Sequence, residues 1–131
     1  CSWIDKKVYF FIDTNRENEL IRDDYFLLAR AYASCKEKEK AIYILNKGLE
    51  KYNDDSELLF AKSFCCQHWQ EKIDILRKVL NNEYRYEPRN FDYGTVYNNI
   101  AWEYCLQEKY NEGLPYSLKA KQRNPEHGYI W

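Results

Sequence analysis

The chain has 131 residues, 45% apolar and 18% aromatic, with 20 basic against 21 acidic side chains and a formal net charge of −1. That apolar content excludes a disordered chain, the balanced charge leaves no basic footprint for nucleic acid, and no apolar run reaches the roughly 20 residues of a membrane span. Four glycines and three prolines beside 13 tyrosines point to packed helices with few turns.

Ile4, Val8, Phe11 and Ile12 are spaced i, i+4, i+7, i+8, which predicts an amphipathic helix over 3–12. Thr14 and Asn15 begin a connection, and Asp23 or Asp24 caps a helix over 24–35. The alternating Lys-Glu run at 36–40 reads as a solvated turn. A partner helix over 38–51 then carries Ala41, Ile42, Leu45, Gly48 and Leu49 on one face. The polar run 53–56 breaks the chain and caps a helix over 57–67. That helix fits two registers. One places Leu59, Lys62, Ser63 and Cys66 in core slots. The other places Phe60, Ala61 and Phe64 inside and is the better apolar fit. A short turn leads to a helix over 70–82 with Ile73, Leu76, Val79 and Leu80 inward. Residues 83–93 form a long aromatic loop that either packs back on its neighbour or binds a ligand. Helices over 94–106 and 109–123 follow. Pro115 is placed near the start of the second, where first-turn donors are unpaired, and Asn124-Pro125 ends it.

Two stretches share a ladder. Tyr97, Ile100, Ala101, Tyr104, Gly113 and Ala120 match Tyr25, Leu28, Ala29, Tyr32, Ala41 and Gly48, each 72 residues earlier. With Pro125 closing the later copy, the pattern resembles the tetratricopeptide repeat (TPR), a helix pair of about 34 residues. Ser117 departs from the large aromatic usual in its slot. Two regular repeats would separate the tyrosines by 34 + 34 = 68 residues, so the stretch between the copies is irregular. The resemblance implies an all-α fold: a right-handed α-solenoid of antiparallel helix pairs with about three TPR-like repeats. The expected organisation is a helical lead-in at 1–21, repeats at 22–55, 56–93 and 94–127, and the start of a truncated further repeat at 128–131, with Trp131 as its first anchor.

In the family, first helices line a concave groove that holds a peptide or partner helix. By that resemblance the groove candidates are Phe26, Arg30, Phe64, Asn98, Asn99 and Trp102, the aromatics as anchors and Arg30, Asn98 and Asn99 fixing the partner's backbone. The competing reading packs these aromatics between repeats. Asn99 fits one slot of the family's carboxylate clamp, but Phe60 and Phe64 lie where cations are needed, so no complete clamp is expected. Cys65-Cys66-x-His68 lacks a second pair at metal spacing and His127 stands alone, so neither a metal site nor a cofactor is expected. No phosphate loop or nucleophile elbow occurs, so an enzyme is not expected. The expected function is a protein-interaction module. The alternatives are a self-assembling segment of a longer repeat protein, associating through exposed solenoid ends, or a regulatory segment attached to a catalytic domain. Five cysteines without a framework read as unpaired thiols in the reducing cytoplasm. Cys1-Ser2 also fits the acylated N-terminus of a mature lipoprotein, or an arbitrary chain boundary.

Overall fold

Helices supply all the regular structure among the residues described, 2–85 and 91–124, in this computed structural model. In chain order they are α1 (Ser2–Val8), a π-helical extension (Tyr9–Asp13), a 3-10 turn (Glu17–Glu19), α2 (Arg22–Ser34), α3 (Lys38–Lys51), α4 (Ser56–Cys65), α5 (Trp69–Arg85), α6 (Tyr93–Leu106) and α7 (Tyr110–Arg123). The all-α expectation is met. The chain divides into two compact units, Cys1–Cys66 and Gln67–Trp131.

In the first unit, α2 packs on α3, and α4 packs on both. Ile4, Val8 and Ile12 bury the inner face of the lead-in against a core that includes Tyr25, Ala29, Tyr32, Ala41, Ile44, Leu45 and Leu58. Small Ala29 and Ala41 and the side-chain-free Gly48 let the helix backbones approach, and large neighbours fill the space around them. Asp24 reaches back to accept from the Ile21 amide at 2.9 Å, and Asp55 accepts from the Leu58 amide at 3.0 Å, each satisfying a first-turn donor.

In the second unit, α6 packs on α5 and α7. Tyr97, Ile100, Ala101 and Tyr104 are buried, as are Gly113, Ser117 and Ala120 of α7. Ser117, the departure from the resemblance, is a small buried residue rather than a surface one.

The two hairpins turn identically. After α2 the Lys36 amide bonds the Ala33 carbonyl and the Glu37 amide bonds Tyr32, both at 3.0 Å. After α6 the Glu108 amide bonds Cys105 and the Lys109 amide bonds Tyr104, both at 2.9 Å. This crossed pair is a Schellman ending, which needs one left-handed residue. Lys36 (φ 61°) and Glu108 (φ 57°) supply it, 72 residues apart.

Three expectations are corrected. Leu59 and Ser63 of α4 and Cys66 just after it are buried and Lys62 is half-buried, while Phe64 is exposed, so the first register holds and the apolar alternative fails. The slot of Ala29 and Ala101 needs a small residue, and Ser63 fits because its hydroxyl donates to the Phe60 carbonyl at 2.6 Å. The connection after α4, residues 66–68, is as long as those at 35–37 and 107–109; α4 itself is short, at 10 residues. Pro115 is the sixth residue of α7, beyond the first turn, and its exposed position leaves the Asn111 carbonyl to water. The expected repeat end at Pro125, the further repeat at 128–131, His127, Cys1 and residues 86–90 of the aromatic loop lie outside the described residues.

Candidate functional site

The α2 face of the first unit carries Arg22, Phe26 and Arg30 at successive turns. Both guanidinium carbons lie 5.8 Å from the Phe26 ring centre, within cation–π reach. Phe26 is half-buried and packs against the core; Arg30 is exposed. Arg22 bonds three carboxylates: Asp23, Glu57, and Asp55 at 2.9 Å. Burial opposes its charge, but the hydrogen bonds to Asp23 and Asp55 outweigh that and raise its pKa. The grip joins the first turn of α2 to the start of α4. Further along α4 the Phe60 and Phe64 rings meet edge-on at 4.9 Å. Phe64 is 59% exposed, and Leu27, next to Phe26 on α2, is 62% exposed.

In the second unit Asn98 and Asn99 are adjacent on α6, and Trp102 follows Asn99 one turn later. Trp102 is 41% exposed, and both asparagines are half-buried. The six nominated residues thus fall as Phe26, Arg30 and Phe64 in one unit and Asn98, Asn99 and Trp102 in the other.

The cysteines divide. Cys65, Cys66 and Cys105 are free thiols, while Cys35 is disulfide-bonded, which corrects the expectation of unpaired thiols throughout. Burial pushes the Cys65 thiol up, away from the reactive thiolate. His68 spends its Nδ1 accepting from the Gln70 amide at 3.3 Å, at the start of α5. Among the described residues no group of three or more His, Cys, Asp or Glu side chains could hold a metal ion, and no helix is long and apolar enough to cross a membrane.

Sequence reasoning missed a polar cluster in the second unit. Arg77 of α5 donates to Tyr104 and Tyr116, and Glu83 accepts from Tyr97 at 3.0 Å and from Arg123 at 2.7 Å. The Arg123 hydrogen bond chiefly holds the Glu83 carboxyl below its ordinary pKa. Helical spacing marked Tyr97 and Tyr104 as core, left Tyr116 unremarked, and gave no sign that these hydroxyls converge with charges from other helices.

No protein-family model matches the chain, and no curated protein matches it in sequence.

Proposed function

We propose that this chain is a protein-interaction module of TPR-like helix pairs, taking a peptide or amphipathic helix on the open sides of its first helices. The observation that carries the reading is the exposure of large apolar side chains there: Leu27 on α2, Phe64 on α4 and Trp102 on α6. Trp and Arg are among the residues enriched in binding hot spots. The shared Schellman turn of the two hairpins supports the solenoid part of the reading.

The test is a display library of helical and extended peptides selected against the intact chain, with Phe64→Ala and Trp102→Ala as probes. Phe26 is a poorer probe because it also packs on the core. Both variants should keep stability within about 0.5 kcal/mol and lose affinity for a selected peptide. Selected peptides that bind both variants as well as the parent overturn the proposal, as does unfolding of both.

A second reading is favoured by α7, where Tyr110, Leu114 and Leu118 form an exposed stripe at i, i+4, i+8. Such a stripe suits self-association. Sedimentation of the parent and of Leu114→Glu across a hundredfold concentration range decides it: a parent that associates while the variant stays monomeric supports assembly through α7, and a monomeric parent removes it.

A further inference from the structure

Three helices of the second unit bring three donors together. Arg77 Nη2 donates to the Tyr104 hydroxyl at 2.6 Å, and Arg77 Nε donates to the Tyr116 hydroxyl at 3.0 Å. These nitrogens form the edge of a guanidinium that ordinarily grips the two oxygens of a carboxylate. Here two phenol oxygens stand in for that carboxylate. A phenol oxygen that accepts still carries its own hydrogen. Neither the Tyr104 nor the Tyr116 hydrogen has an acceptor among the described residues.

The charges around this edge are unbalanced. Asp74 comes within only 4.0 Å of Arg77 and is itself largely exposed, so water screens it. Glu103 faces Lys72, and Glu83 is held by Arg123 and Tyr97. Lys109 lies over the Trp69 ring, which meets the Tyr104 ring at 6.1 Å. The Tyr104 and Tyr116 rings stack at 5.9 Å, which fixes both hydroxyls relative to the guanidinium.

We infer that Arg77, Tyr104 and Tyr116 form a binding site for an oxyanion, a carboxylate or a phosphoryl group, which accepts from both phenol hydrogens. The guanidinium does not touch the anion through its occupied edge. It polarises the two phenols and strengthens them as donors. The site uses none of the nominated anchors and does not depend on their binding a partner.

The probes are sodium phosphate and sodium acetate, each titrated into the intact chain at constant ionic strength against sodium chloride. The readout is the ring carbon signals of Tyr104 and Tyr116 by NMR. A saturable shift in the millimolar range is expected for at least one probe and not for chloride. Saturation by phosphate alone assigns a phosphoryl group; saturation by acetate assigns a carboxylate. Tyr116→Phe keeps the ring stack, removes one donor, and should weaken binding roughly tenfold, the worth of one hydrogen bond to a charged group. Tyr104→Phe provides the same comparison should Tyr116→Phe disturb the fold, as read by circular dichroism. Unsaturated shifts that chloride reproduces overturn the inference. So does a saturable site that folded Phe variants bind with unchanged affinity.

Discussion

Gly48 sits where α2, α3 and α4 meet, and its replacement by alanine sets two effects of opposite sign against each other. In an open helix, Gly→Ala gains up to about 1 kcal/mol because alanine loses less backbone freedom. At Gly48 the added Cβ would lie 2.9 Å from Tyr25 Cβ, 3.0 Å from Tyr25 Cγ and 3.2 Å from Leu58 Cδ1. Tyr25 and Leu58 are fully buried. The Cβ of Tyr25 follows its backbone, so relief requires α2 to move away from α3. Overpacking of this kind costs about 1–3 kcal/mol. The net expectation is a loss of roughly 1 kcal/mol. The assay is denaturant unfolding, with the midpoint falling and the slope unchanged. Asn46→Ala, at an exposed position on the same helix, is the control and should gain a few tenths of a kcal/mol, about what propensity alone supplies. A Gly48→Ala protein as stable as the parent or more so would refute the reasoning, since propensity would then have outweighed contact.

Lys36→Gly and Glu108→Gly should each stabilise by about 0.5–1 kcal/mol, because a left-handed residue with a Cβ is strained and glycine is not. Thermal unfolding checks this, and a fall in midpoint for both would contradict the turn geometry. Glu83 gives a pH dependence. Its folded pKa lies below the ordinary value of 4.5, so its stabilising contribution is complete above that value and fades as pH falls through the lower folded one. Glu83→Gln should therefore lower stability at neutral pH and flatten the acid limb below about pH 4.5; an acid limb identical to the parent's would show that Glu83 does not couple to folding.

Helix positions were legible in the sequence because the polar punctuation is strong. The span 38–51 emerges from an alternating charge run at one end and Tyr52-Asn53 at the other, and it matches α3 residue for residue. The inward faces of α2 and α6 were legible because tyrosine and alanine recur at helical spacing. The rotation of α4 was not. Hydropathy favoured burying Phe60 and Phe64, whereas the available space demanded a small residue at position 63. A hydroxyl that satisfies itself within its own helix passes for a small apolar group, and no hydropathy pattern records that. The open faces of α2 and α6, with Leu27 and Trp102 on them, followed from the tyrosine and alanine spacing, whereas the exposure of Phe64 depended on the unresolved register of α4. The Arg77 cluster was illegible for a different reason: its members are 27 and 39 residues apart in sequence and meet only through the packing of three helices.

Close packing around Leu58 and Ser63 limits how α4 turns about its own axis, and a polar contact of fixed shape limits it further. Arg22 has a fork of fixed shape, and its targets Asp55 and Glu57 lie two residues apart at the start of α4. Only one roll angle of that helix presents both carboxylates to the fork. The guanidinium works as an index pin, reinforcing the roll that the small Ser63 permits and that leaves Phe64 outside. A lysine in its place keeps the charge but loses the fork, and leaves the roll of α4 to its apolar packing alone.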